Sequence, residues 1–161
     1  IHNQSFKATS KDTKLLPNGI EHCWTPKLES KGNTYKTAYK TYDIEPRYIS
    51  EPKVVLTFMA GSSRLHNKLF PKFYSKPIGT TAASMYIIVK NEKIGNKLEK
   101  YFNSSLLTFL ITITQYTDGQ FAKNEFKILN MLSIPTELPD NPSNDDIYKY
   151  YNLTSDEINL S

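Results

Sequence analysis

The chain has 161 residues, 39% of them hydrophobic and 22% charged, with a formal net charge of +4. That length suits one domain, and dividing it would leave each half a thin core. One cysteine, Cys23, excludes an internal disulfide framework and a multi-cysteine zinc cluster, and no apolar run approaches the 18 residues of a membrane-spanning helix.

Residues 1–19 are polar and end in the turn signal Leu15-Leu16-Pro17-Asn18-Gly19. Residues 20–24 predict a short strand, closed by Pro26. Residues 27–50 are rich in Tyr, Thr and Lys and read as loop with one short helix or strand. The run 53–60 is apolar and β-branched and predicts a buried strand ending at Gly61. Gly61-Ser62-Ser63-Arg64 reads as a polar turn, 70–74 as an edge strand, and 84–89 as a second buried strand.

The period then changes. Ile94, Leu98, Tyr101, Phe102, Leu106, Phe109, Leu110 and Ile113 fall at helical spacing, which predicts one long helix over about 92–116. It should stop near Thr117-Asp118-Gly119. A shorter helix is expected over 124–131. Pro135, Pro139 and Pro142 mark 135–144 as a linker. Two short helices should follow, one over 145–151 and one opening at Thr154, where Thr154-Ser155-Asp156-Glu157 matches a capping box. Strands first and helices later imply α+β: a mixed or antiparallel sheet in the first two-thirds, packed on the long helix, in a single domain over 1–161.

Charge is unevenly distributed. Residues 1–90 hold 14 Lys/Arg and 6 Asp/Glu, a balance of +8; residues 91–161 hold 6 Lys and 10 Asp/Glu, a balance of −4. Lys27, Lys31, Lys36, Lys40, Arg47, Lys53, Arg64, Lys68, Lys72 and Lys76 alternate with Tyr35, Tyr39, Tyr42, Tyr48, Phe70, Phe73 and Tyr74. Cations bind phosphates and planar rings pack on sugars or bases, so this half suits a polyanion.

No catalytic constellation stands out. His2, His22 and His66 are isolated, and Cys23 beside His22 is not a dyad, because neighbouring strand side chains point to opposite faces. Asp43 with Glu51-Pro52-Lys53 has the Glu-x-Lys form of a metal-dependent nuclease, in which carboxylates hold magnesium and the lysine activates water. That match is short, and Pro52 interrupts the strand it needs. A protein-interaction module docking a partner on the apolar helix is a further alternative.

Glu51-Pro52-Lys53-Val54-Val55, Gly61-Ser62-Ser63-Arg64, Gly79-Thr80-Thr81, Met85-Tyr86-Ile87-Ile88-Val89, Tyr101-Phe102-Asn103-Ser104-Ser105-Leu106-Leu107 and Leu129-Asn130-Met131-Leu132-Ser133-Ile134-Pro135 occur in a particular order. In that order they resemble the C-terminal target-recognition domain of type II restriction-modification N6-adenine DNA methyltransferases. The resemblance spans about half the chain. It departs at Ser105, where the family often has Lys, and at Ser133, where Pro is common. The family's Asn-Pro-Pro-aromatic catalytic loop is missing: Asn141-Pro142-Ser143 lacks the second proline and the aromatic ring.

The resemblance therefore implies a recognition domain of a longer enzyme, with S-adenosylmethionine bound by a catalytic domain beyond this chain. The first residue, Ile1, and the lack of a leader after it fit a piece of a longer cytoplasmic protein. The implied partners are double-stranded DNA and that catalytic domain, with no membrane. The residues expected to meet DNA are Ser62, Ser63, Arg64, Lys68, Lys72, Lys76, Thr80 and Thr81. Arg64 would read a guanine edge with its fork, and the lysines would hold phosphates.

Overall fold

The two apolar runs that the sequence marks as buried strands lie at the centre of the fold. The computed structural model describes residues 2–3, 19–28, 35–42, 48–57, 69–80, 84–114 and 135–161. Seven strands are described: β1 (His2–Asn3), β2 (Ile20–Leu28), β3 (Tyr35–Tyr42), β4 (Lys53–Thr57), β5 (Pro71–Tyr74), β6 (Gly79–Thr80) and β7 (Ser84–Ile88). Four helices are described: α1 (Glu92–Phe102), α2 (Ser105–Thr114), α3 (Asn144–Tyr150) and α4 (Ser155–Leu160). The class is α+β. The expected helix at 124–131 and the strand residues 58–60 lie outside the described residues.

One sheet is antiparallel in the order β1-β7-β4-β5, so β5 is the edge strand that its sequence suggested. The second has the order β3-β2-β6, with β2 antiparallel to β3 and parallel to β6. Strand alternation divides the first sheet into two buried faces. Val54, Leu56, Met85 and Ile87 pack against Leu98, Tyr101, Phe102, Leu106, Leu107 and Ile111 of the helices. Val55 and Tyr86 face the other way and pack with Cys23, Tyr74 and Ile78. The result is three layers: helices, central sheet, second sheet.

The long helix expected over 92–116 is two helices. Asn103 N–H donates to Glu99 O at 3.2 Å and to Lys100 O at 3.1 Å, which closes α1. Ser104 then turns its hydroxyl back to accept from Leu107 N–H at 3.3 Å, as an N-cap does. Asn144, far along the chain, accepts from Ser105 N–H and donates to Ser105 Oγ, both at 3.1 Å. The apolar periodicity survives the break because both helices still pack on the same core. Asn144→Ala should cost about 1 kcal/mol, the usual magnitude for a lost cap, read as a lower urea midpoint with an unchanged slope.

The proline-rich stretch is not a loose linker. Pro135, Leu138 and Pro142 are buried, and Lys97 Nζ donates to Thr136 O at 3.0 Å. Thr154 does open α4 with a reciprocal capping box, and Ser143 opens α3 with another, closed by Asp146. After α3 the chain turns through Asn152 in the left-handed region, φ 53°. Asn152 N–H donates to Lys149 O and Leu153 N–H to Tyr148 O, at 3.1 and 3.0 Å, the paired bonds of a Schellman stop.

Packing of α1 on the edge strand is close. The Phe73 ring lies on Gly95, where a Cβ would come within 2.2 Å of it. The Glu99 carboxylate accepts from Phe73 N–H at 2.7 Å. That bond satisfies a backbone donor on a strand edge that would otherwise invite another chain.

Candidate nucleic-acid interface

The acidic half of the sequence supplies every described helix, and α1, α2 and Ile147 of α3 join the core on one face of the central sheet. The basic half supplies β2 and β3, which lie on the opposite side.

Two of the expected DNA-facing cations lie on the hairpin side. Lys72, on β5, is exposed and points to the same face as Tyr74, with its ammonium 5.4 Å from the Tyr74 ring centroid. Lys76 follows in an exposed turn and pairs with Glu21 of β2 at 3.2 Å. Both partners of that pair are well exposed, so it contributes little and yields easily to a phosphate. Thr80 is placed differently from the sequence expectation. It sits in β6 opposite Cys23 and is 1% exposed, so it presents nothing to a ligand at the surface. Ser62, Ser63, Arg64, Lys68 and Thr81 lie outside the described residues.

The hairpin itself is the element that the sequence hid. Strand β2 does not stop at Pro26 but continues to Leu28, because the register with β3 shifts between Cys23 and Pro26. A proline is tolerated at such an irregularity, where the ladder does not need its missing N–H. The Tyr-, Thr- and Lys-rich run 35–42 is the partner strand. Its aromatic and β-branched content was the available signal.

Between the sheets lies a buried polar group of residues. His22, Cys23, Lys53, Thr80 and Ser84 are all at most 2% exposed. Lys53 Nζ donates to Tyr48 O at 2.5 Å and to Ile49 O and Ile78 O at 3.0 Å each. The Tyr86 ring centroid is 5.8 Å away. Burial pushes the Lys53 pKa down to about 8. Burial also pushes the Cys23 thiol up to about 11, so it is protonated at neutral pH and a poor nucleophile. His22 Nδ1 lies 2.8 Å from Ile20 O, and burial lowers its pKa below the ordinary 6.5.

This geometry bears on the nuclease alternative. Its lysine would have to face an attacking water, yet the three protons of the Lys53 ammonium point at three carbonyls. Glu51 is exposed in the preceding turn, and Asp43 lies outside the described residues. Among the described residues no group of three or more His, Cys, Asp or Glu could hold a metal ion, and no helix is long and apolar enough to cross a membrane. The large apolar side chains exposed among them, Ile113 and Leu160, are at the ends of different helices. Single exposures of this kind do not make a docking patch.

Comparison with known protein families, with curated proteins and with solved structures finds no match.

Proposed function

We propose that this chain recognises double-stranded DNA as the target-recognition domain of an adenine-specific DNA methyltransferase of a restriction-modification system. The observation that carries the reading is the placement of charge. Among the described residues Lys27, Lys36 and Lys40 belong to β2 and β3 and Lys72 and Lys76 are exposed near them, while the half with a balance of −4 supplies the described helices. Phosphate contacts supply most of the affinity of such a surface, and a few side chains near base edges supply specificity. A catalytic domain outside this chain would bind S-adenosylmethionine and take the flipped adenine. The role left to this chain is to hold the duplex in register.

The test is a fluorescence-anisotropy titration of the full chain against random duplex DNA over a range of salt concentrations. The expected result is a binding constant that falls with salt, with a slope near −0.9 per phosphate contact. Replacing Lys72 and Lys76 together by Ala should weaken binding and reduce that slope by roughly 2. Absent or salt-independent binding overturns the proposal.

A further inference from the structure

Resting on the DNA reading above, we infer that Glu21 regulates the same face as an autoinhibitory contact: it holds the Lys76 ammonium in the free chain and gives it up to a DNA phosphate.

The contact joins two segments distant in sequence. Lys76 Nζ donates to Glu21 Oε2 at 3.2 Å. The backbone sets both ends. Glu21 precedes His22, which stands opposite Gly79 in the β2–β6 ladder, and Lys76 lies just before that ladder on the other strand. Between Lys76 and Gly79, Ile78 is held at both of its polar groups. Its N–H donates to Ile49 O at 3.3 Å, and its carbonyl accepts from Lys53 Nζ at 3.0 Å. The turn that carries Lys76 is therefore tied down beside the strand that carries Glu21.

The pair is made by placement and not by burial: the Lys76 and Glu21 side chains are 66% and 41% exposed. A carboxylate and a phosphate offer an ammonium the same kind of partner, anionic oxygens that accept its protons. An exposed pair of this kind is weak, so a phosphate can replace it. Glu21 also shares the surroundings of Lys72. Both charges act on the buried Cys23 thiol, the carboxylate pushing its pKa up and the ammonium pushing it down.

Such a contact lowers affinity for any duplex while leaving the cation ready for one seated in register. DNA out of register presents no phosphate to Lys76 and meets the Glu21 charge instead, a penalty on the wrong partner. A recognition domain works by its specificity ratio among many competing sites, and this contact acts on that ratio.

The experiment titrates labelled random duplex DNA with the full chain at one salt concentration. The chains are wild type, E21Q, K76A and E21Q/K76A, with E51Q as a control carboxylate in the exposed turn before β4. Binding is read from variants that keep the wild-type melting temperature, and E21A is made in parallel as a second neutral variant. E21Q and E21A should bind about two- to fivefold more tightly, the range of an exposed ion pair. E51Q should gain less. In the K76A background the gain from E21Q should shrink to that of E51Q, because the cation that Glu21 held has gone. Wild-type chain that does not bind DNA overturns the recognition function itself. Wild-type binding with no gain in the folded Glu21 variants overturns only the autoinhibitory contact. An equal gain from E21Q with and without Lys76 does the same, since it shows general charge repulsion.

Discussion

Lys53→Met is expected to destabilise the fold by about 3 kcal/mol, read as a lower urea midpoint with an unchanged slope. Methionine matches the length of the stem and removes the cost of burying a charge. That gain is outweighed because the partners of Lys53 are backbone carbonyls, which no companion substitution can remove. Tyr48 O, Ile49 O and Ile78 O would each lose the Lys53 donor, although Tyr48 O still accepts from Glu51 N–H and Ile49 O from Ile78 N–H, both at 3.3 Å. A buried acceptor left stranded costs about 1–3 kcal/mol, and one that keeps a second donor costs less. Lys53 also secures an uncommon backbone: Tyr48 has φ 62°, a region that a bulky side chain rarely adopts. Exposed Lys72→Met is the control and should stay within about 0.5 kcal/mol. Equal effects at the two positions would remove the structural role assigned to Lys53.

The same residue should leave a mark on pH dependence. Its folded pKa is about 8, below the ordinary 10.5. Between those values the unfolded chain binds more protons than the folded one. The Lys53 contribution therefore grows as pH rises through this window, and is lost as pH falls back through 8. Cys23 works in the opposite direction. Its folded pKa is about 11, above the ordinary 9.0, so its contribution declines between those values. The urea midpoint should rise from pH 8 to 9, where Lys53 is the shifted group that titrates among the described residues, and flatten above 9. In Lys53→Met the rise from 8 to 9 should vanish. A wild-type midpoint that is flat over that interval would contradict the assignment.

Gly79→Ala should cost about 3 kcal/mol, although it adds only a methyl group. The new Cβ would lie 2.2 Å from His22 Cδ2, 2.3 Å from Nε2 and 2.6 Å from Cγ. These atoms span the imidazole, so no rotation of its far end relieves the overlap. His22 is 0% exposed, and it is the direct partner of Gly79 in the β2–β6 ladder. Either the ring is displaced or the two strands separate. Separation would release the described attachment of the hairpin to β6, so DNA binding should fall with stability.

Gly95→Ala is the instructive contrast. Its Cβ also overlaps a ring, that of Phe73. Phe73 is only half buried, however, and alanine gains about 1 kcal/mol over glycine inside a helix. The net change there should be near 1 kcal/mol or less. Thermal melts of the two single variants and of His22→Ala/Gly79→Ala test the account. The double variant should recover part of the loss because the ring that obstructs the methyl has gone. Full additivity would show that the overlap is not the cause.

Local signals were sufficient for several elements. The apolar runs at 53–57 and 84–88 are strands, 71–74 lies at a sheet edge, and Thr154 caps a helix with Glu157. Each depends on neighbours within a few residues, so pattern and propensity were enough. Of the expected site residues, Lys72 and Lys76 are exposed on one side, as lysines in a polar turn and on an edge strand generally are. Thr80 could not be placed in this way. Its burial comes from a two-residue parallel pairing with a strand almost sixty residues earlier.

The sequence by itself determined the α+β class, the buried strands of the central sheet and the separation of basic from acidic halves. These follow from side-chain periodicity and composition, which are local properties of the chain. The long apolar run breaks at Asn103, where Ser104 caps the second helix locally, and only the tertiary structure adds Asn144, which meets Ser105 from another helix. It alone turned Pro26 and the Tyr-Thr-Lys run into one hairpin, and made Lys53 a buried tie between residues 48–49 and 78. Those outcomes depend on hydrogen-bond partners distant in sequence, and a backbone carbonyl looks the same in any sequence until folding brings a donor to it.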